Sequence, residues 1–300
     1  MGRRHRRCGP GRPARPGGTG AAALVVTVLV LGALSPASAA AAAVSAGAAE
    51  RPNIVLVLTD DQTVADMRAL PKTRALLGRR GTTFTHAFAS YPLCCPARAT
   101  LLTGQYAHNH GVLGNLPPLG GYGALRGKEN ALPAWLRRAG YTTAHVGKYL
   151  NGYGRDVPAD VPPGWDEWYG TIDPSTYLMW GYRMNENGTV RTYGDPRAED
   201  PALYQTDVVR DRAVDVIRRR APERRPLYLS VGFLAPHSEG GRELGTDGST
   251  VRPAPRHRGR FADARLPRGG AFDEADVSDK PAFFAKAFAR LGADGTRLAE

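Results

Sequence analysis

The chain has 300 residues, with 40 Lys and Arg against 28 Asp and Glu, for a formal net charge of +12. At 42% hydrophobic and 23% charged residues, it is neither a wholly disordered nor a collagen-like chain, and it has enough length for a sizeable core. The basic balance does not read as nucleic-acid binding: half of it comes from the six arginines between Arg3 and Arg15, and no nucleic-acid-reading motif accompanies it.

That basic start leads into an apolar run from Ala21 to Leu34 and then Ala37-Ser38-Ala39, a small-x-small cleavage pattern. Together these read as a secretory signal peptide over 1–39, because the apolar run is shorter than the roughly 18–20 residues of a membrane span. The expectation is an exported protein with no stable membrane insertion. Residues 40–50 read as an Ala-rich spacer. Cys8 would leave with the signal, so the mature chain keeps only Cys94 and Cys95. Adjacent cysteines do not form an ordinary structural bridge with each other, and the pair needs another explanation.

From Arg51 the texture becomes that of an α/β domain. Ile54 to Leu58 is a continuous apolar run, as expected of a strand buried on both faces, and it ends at Thr59-Asp60-Asp61. Leu132-Pro133 opens a helix that closes at Gly140, and Tyr141 to Val146 follows as a strand ending at Gly147-Lys148. Gly152 to Arg197 is rich in Gly, Pro, Tyr and Trp and reads as a long excursion from the sheet. Its aromatics Trp165, Trp168, Tyr169, Tyr177 and Trp180 either stack on a sugar or aryl group or form a satellite core, and the core is favoured. Asn187-Gly188-Thr189 fits a glycosylation sequon, meaningful only in a eukaryotic secretory pathway.

Val209, Ala213, Val216 and Ile217 share one helical stripe, followed by the strand Leu227 to Phe233 and then Ala235-Pro236-His237. Ser238 to Gly270 reads as an irregular surface segment. Its arginines Arg252, Arg256, Arg258 and Arg260 either meet a polyanion or lie on a solvated loop, which is favoured. Phe284, Phe288 and Leu291 suggest a last short helix. Helix and strand alternate, which predicts an α/β fold with a mostly parallel central sheet and helices on both faces. In such sheets the ligand crevice lies outside the carboxyl ends of the strands, so Asp60, Asp61, Lys148 and His237 should converge on one rim.

The stretch with most chemical content is Cys94-Cys95-Pro96-Ala97-Arg98-Ala99-Thr100-Leu101-Leu102-Thr103-Gly104. Cys94, Pro96 and Arg98 fit C-x-P-x-R, and here the sequence resembles the type I sulfatases of the alkaline-phosphatase-like superfamily. In that family the first Cys of the motif is converted to Cα-formylglycine (3-oxoalanine) by a formylglycine-generating enzyme, which becomes an expected partner. Cys95 is out of register, so Cys94 is the residue expected to be modified. Three other segments look like family segments. Arg51 to Gln62 resembles the opening strand, whose two aspartates bind a divalent metal; Gly147 to Asn151 resembles the segment with the active-site lysine; Ala235-Pro236-His237 resembles the segment with a sulfate-contacting histidine.

The resemblance implies a sulfuric ester hydrolase with Cys94, Arg98, Lys148 and His237 as catalytic residues. Asp60, Asp61 and modified Cys94 would bind Ca²⁺, with Mg²⁺ as the alternative. A sulfate monoester is an anionic, poor electrophile, so its hydrolysis requires a cation and fixed positive donors around its oxygens. Aspartates offer the hard oxygens that such ions take. One oxygen of the hydrated aldehyde would attack sulfur and displace the alcohol. The other would then release sulfate, a step that a serine could not perform. Arg98 would hold the hydrate, Lys148 the sulfate and leaving oxygen, and His237 the sulfate or a proton. His108 and His110 are read as structural or as support behind the site.

Leu150 stands where arylsulfatase-like members often carry His. The Lys-Tyr-Leu-Asn form is more similar to N-acetylglucosamine-6-sulfatases, which tilts the expected substrate toward a sulfated sugar or glycan. The Asp-Asn or Asp-His pair that completes the family's metal site has no convincing equivalent; Asp247-Gly248 and Asp294-Gly295 lack the expected strand and partner. Residues 51–300 therefore read as the amino-terminal part of a sulfatase catalytic domain, with the fold incomplete. The competing functions are a phosphate or phosphonate ester hydrolase of the same superfamily and an inactive glycan-binding fragment.

Overall fold

Six strands form one sheet in the order β1-β6-β2-β3-β4-β5, in a computed structural model that describes residues 51–240, 251–264, 276 and 278–282. They are β1 (Ile54–Asp60), β2 (Thr142–Gly147), β3 (Glu167–Ile172), β4 (Tyr182–Glu186), β5 (Thr189–Tyr193) and β6 (Leu227–Pro236). The pairs β1/β6, β6/β2 and β2/β3 are parallel, whereas β3/β4 and β4/β5 are antiparallel. The sheet is mixed and mostly parallel, as expected.

Helices cover both faces. On one side lie α1 (Cys94–Thr103), the single turn α2 (Ala107–His110) and α3 (Leu132–Arg138); on the other lies α4 (Gln205–Arg220). Strand alternation decides which side chain meets which helix. Leu227, Leu229 and Val231 of β6 point toward Val209, Ala213 and Val216 of α4, while Tyr228 points the other way, into a cluster with Ala99, Leu102, Trp165 and Trp168. Pro133 starts α3, and Gly140 beyond its end takes φ +88°, a left-handed conformation in which glycine carries no Cβ penalty. Fully buried aliphatics such as Leu229 hold these layers together, each worth about 2–5 kcal/mol against truncation to alanine.

Two expectations are corrected. The run Ile54–Leu58 is a strand but is not buried on both faces. β1 pairs only with β6 among the described residues, and Val55 and Val57 are 46% and 54% exposed. A continuous apolar run is the same string whether a strand is central or at an edge, so sequence could not distinguish them. The segment from Gly152 to Arg197 is not an excursion from the sheet, because it supplies β3, β4 and β5. Its strands are aromatic-rich and short, which hid their period among the glycines and prolines.

The aromatics of that segment are mostly core: Trp165, Trp168, Tyr169 and Trp180 are buried, and Tyr177 alone among the five is half-buried. The arginines after Ser238 are tied to the domain. Arg256 grips Asp207 with two bonds of 2.6 and 2.8 Å, Arg252 holds Glu239 at 2.6 Å, and Arg258 pairs with Glu199. The leader, the spacer, both Asp-Gly pairs and the Phe284 to Leu291 stripe lie outside the described residues.

Candidate active site

The parallel strands deliver polar residues at their carboxyl ends. β1 ends at Asp60, which is 5% exposed, and the chain turns at Asp61 with φ +58°, a conformation that aspartate tolerates better than most residues. The Asp61 carboxylate is largely exposed. β2 ends at Gly147, and the next residue, Lys148, is 2% exposed. β6 ends at Pro236, followed by His237.

Glycine lets these strand ends close up. The Lys148 N–H donates to the Gly232 carbonyl over 2.8 Å, and a Cβ on Gly232 would stand 2.2 Å from the Lys148 carbonyl oxygen. That packing brings Lys148 to Arg98 of α1, whose Nη1 donates to the Lys148 carbonyl at 2.8 Å and to the Tyr149 carbonyl at 3.4 Å. Arg98 Nη2 lies 3.5 Å from Asp60 Oδ1, and the Lys148 ammonium contacts Asp60 Oδ2 directly. Both carboxylate oxygens of Asp60 thus face a buried cation.

Cys94 is the first residue of α1, at the end of the helix where free N–H groups carry partial positive charge. The extended residue before it, Leu93, has no capping side chain, and the Cys95 N–H donates instead to Asn115 Oδ1 at 2.9 Å. Cys95 is fully buried, and its thiol is pushed up to about 12 by that burial. Cys94 is only partly buried. Burial raises its thiol pKa as well, and the carboxylates of Asp60 and Asp61 add to this, while Lys148 and Arg98 pull the other way.

Burial would raise the Asp60 pKa, but Lys148 and Arg98 outweigh it and hold the carboxyl below its ordinary value. His237 Nδ1 donates to the Ser238 carbonyl at 2.7 Å, which fixes the tautomer and leaves Nε2 free to face Asp61 Oδ2 at 3.5 Å. Asp60, Asp61, Cys94, Arg98, Asn115 and His237 line an open cavity of about 760 Å³. The six predicted site residues therefore gather at one rim, Lys148 through its contact with Asp60.

For a divalent metal, Asp60, Cys94 and His237 each offer one ligand atom, all within 4.8 Å of one another, and Asp61 adds an accessible carboxylate beside His237. Two carboxylates on one wall suit a hard cation and fit as the acidic flank of its site; Ca²⁺ takes about six to eight oxygens, more than these residues offer.

Of three further residues near the site, Asn115 and Asn151 have no role in the sequence reading, and Tyr177 enters it only as one of five aromatics that stack on a sugar or form a core. Tyr177 packs on both Lys148 and His237, Asn151 binds the Tyr177 hydroxyl, and Asn115 receives the α1 amide. Asn151 lies within the Lys-Tyr-Leu-Asn segment and was the one signal available. His110 is structural: fully buried, it accepts the Val112 N–H on Nδ1 at 3.1 Å and meets Thr100 Oγ1 at 3.2 Å through Nε2. Leu150 is 2% exposed and belongs to the core.

Two buried cations on one carboxylate, at the rim of a mostly parallel sheet and beside a helix N-terminus, make an α/β site of a kind suited to an anionic ligand. The sulfatase family matches residues 52–264, and the chain belongs to that family. Among its relatives, N-acetylglucosamine-6-sulfatase of Capra hircus is 35% identical over 239 residues, covering 76% of this chain and 39% of that protein. The extracellular sulfatase SULF-1 homolog of Drosophila melanogaster is 38% identical over 192 residues, covering 62% of this chain and 16% of that protein. The crystal structure of the PsFucS1 sulfatase from Pseudoalteromonas shares the fold at a TM-score of 0.51 and 22% identity, over 70% of this chain and 47% of the other. The chain spans between 16% and 39% of the length of the curated relatives it matches.

Proposed function

We propose that this chain carries the nucleophile side of a sulfuric ester hydrolase site, acting on a sulfated sugar or glycan. The observation that carries the reading is the joining of Arg98 and Lys148 on Asp60 beside Cys94. Those four residues come from three distant parts of the sequence, yet two fixed cations and one carboxylate meet at the first residue of α1.

In this reading Cys94 is converted to formylglycine by a formylglycine-generating enzyme, and the hydrated aldehyde supplies the attacking oxygen and the hydroxyl that later releases sulfate. Cys95, buried and out of register, stays a thiol. Asp60 and Asp61 hold a divalent cation, Ca²⁺ or Mg²⁺, which supplies Lewis-acid polarisation of the sulfate when bound. Arg98 fixes the modified side chain with its guanidinium, whose other edge is anchored on backbone carbonyls and cannot swing away. The Lys148 ammonium neutralises charge on the sulfate and leaving oxygens, and His237, once its ring is protonated, presents Nε2 as hydrogen-bond or proton donor.

The sugar substrate follows the 35% identity to a protein named for N-acetylglucosamine 6-sulfate. Export through a leader over 1–39 follows the sequence pattern and the extracellular name of the Drosophila relative. No helix among the described residues is long and apolar enough to cross a membrane.

Peptide mass spectrometry across Cys94, on protein from its native host, tests the maturation step, and hydrolysis of N-acetylglucosamine 6-sulfate tests the activity. The expected results are the cysteine-to-formylglycine mass loss and release of sulfate. A fully unmodified thiol at Cys94 would overturn the reading. Turnover of an aryl phosphate far above that of the matching aryl sulfate would replace it with phosphate-ester hydrolysis. Binding of sulfated glycan without turnover in the presence of Ca²⁺ would replace it with a glycan-binding fragment.

A further inference from the structure

An aromatic ring is wedged against both Lys148 and His237 at the rim. Tyr177 follows β3 in a short helical turn, and its backbone is pinned on both sides. Its N–H donates to the Pro174 carbonyl at 3.2 Å, and its carbonyl accepts the Gly240 N–H at 2.6 Å. The Lys148 ammonium lies 4.4 Å from the centre of the Tyr177 ring, and the imidazole of His237 is tilted against the same ring with centroids 5.1 Å apart. One side chain therefore touches both groups that would contact sulfate, from strands β2 and β6.

The ring is itself held in place. Asn151 is 4% exposed, and its Nδ2 donates to the Tyr177 hydroxyl at 2.5 Å. The Asn151 carbonyl accepts the Tyr122 N–H at 2.7 Å, which fixes the turn that carries the anchor. Burial and the nearby carboxylate of Asp173 both raise the Tyr177 phenol pKa, so the ring remains protonated where an ester hydrolase works. A lysine side chain has four freely rotating bonds, and ordering it costs rotamer entropy. An aromatic face in cation–π contact confines the ammonium without consuming hydrogen-bond donors, so those not engaged by Asp60 stay available for a ligand.

We propose that Tyr177, anchored by Asn151, is a positioning residue that holds the Lys148 ammonium and the His237 imidazole toward the bound sulfate. This rests on the sulfatase reading of the site. Because Lys148 acts on charge that develops during ester cleavage, misplacing it lowers kcat more than it raises KM.

The test uses the full chain produced with a formylglycine-generating enzyme, 4-nitrophenyl sulfate as probe, and the variants Tyr177→Leu, Tyr177→Phe and Asn151→Ala. Tyr177→Leu should lower kcat roughly tenfold with KM changed less than about threefold, the scale of a lost partly buried cation–π contact. Tyr177→Phe keeps the face and loses the anchor, so it should recover most of that loss. Asn151→Ala should match Tyr177→Phe, and the double variant should be no worse than either single one, because both remove the same bond. An activity-independent readout is the His237 ring-proton NMR shift, assigned with His237→Ala. It should be displaced by the Tyr177 ring in the parent and in Tyr177→Phe, and return toward the free-histidine position in Tyr177→Leu.

The proposal is overturned if Tyr177→Leu keeps kcat within twofold, if Tyr177→Phe is as impaired as Tyr177→Leu, or if the His237 shift ignores the ring. If Tyr177→Leu does not fold, Tyr177→Met decides, since it keeps the bulk without an aromatic face: kcat within twofold of the parent, or a His237 shift that stays at the parent position, overturns the proposal. A parent that hydrolyses no sulfate ester fails the sulfatase reading instead, and the NMR shifts then decide the positioning role alone.

Discussion

Lys148 and Asp60 form a buried ion pair across β6, at the carboxyl ends of β1 and β2, with Arg98 completing a two-cation grip on one carboxylate. Removing the carboxylate leaves both cations buried without their anion, and a stranded buried charge costs more than its pair contributed. Asp60→Asn should therefore destabilise the fold by roughly 2–4 kcal/mol and abolish sulfate-ester hydrolysis. Adding Lys148→Met to it should restore part of the stability and none of the activity. Denaturant midpoints and aryl sulfate turnover of the three proteins measure this; full stability in Asp60→Asn alone would show that the pair is not coupled.

The adjacent cysteines should behave as chemical opposites. In the unmodified chain Cys95 is fully buried with its thiol held up to about 12, whereas Cys94 borders the open cavity. Only the thiolate is an effective nucleophile, and access limits even that. Iodoacetamide at mildly alkaline pH should label Cys94 and spare Cys95, read by tryptic mass spectrometry. Cys95→Ala should cost about 1 kcal/mol or somewhat more for the small cavity it leaves and should still mature at Cys94. Preferential labelling of Cys95 would refute the assignment.

The candidate site was more legible than the sheet that carries it. Cys94 and Arg98 stand out through the C-x-P-x-R motif and its resemblance to the sulfatases, whereas Asp60, Lys148 and His237 stand out because each follows or ends an apolar run that reads as a strand. β3 to β5 were hidden because Trp168, Tyr169, Tyr182 and Tyr193 sit among glycines and turns, a texture equally compatible with an irregular segment. β1 was found but misplaced, since pairing on one side or two leaves no trace in Ile54–Leu58 itself. Tyr177 was visible only as one of five aromatics; what separates it from Trp168 is its distance to Lys148, and only the folded chain holds that information.

Gly232 sets the spacing of the site rather than its chemistry. A Cβ there would stand 2.2 Å from the Lys148 carbonyl oxygen and 3.1 Å from Arg98 Nη1, and the first of these is backbone that cannot rotate away. Gly232→Ala should force β6 and the end of β2 apart, costing on the order of 2–4 kcal/mol and displacing Lys148. Loss of soluble folded protein, or a large fall in the denaturant midpoint, is the expected outcome. A variant with parental stability and turnover would mean that the two strands have slack.

Glu167 gives the fold an acid limit on the face away from the site. Its carboxylate accepts Arg219 Nη2 at 2.8 Å and Nη1 at 3.2 Å, the Arg220 guanidinium, and the Tyr169 hydroxyl at 3.1 Å, tying β3 to the end of α4. Burial would raise its pKa, but the two arginines prevail and hold it below the ordinary glutamate value of 4.5. A carboxyl whose folded pKa is depressed stabilises the native state above its unfolded pKa, and that contribution fades as pH falls through the folded value. Stability should therefore be flat with respect to this group above about pH 5 and decline below about pH 4.5. Glu167→Gln should lower stability at pH 7 by roughly 1–3 kcal/mol, discounted for the partial exposure of both arginines, and should flatten that acid decline. Urea midpoints of parent and variant from pH 7 to pH 3.5 measure it, and parallel curves with a constant offset would remove Glu167 from the acid transition.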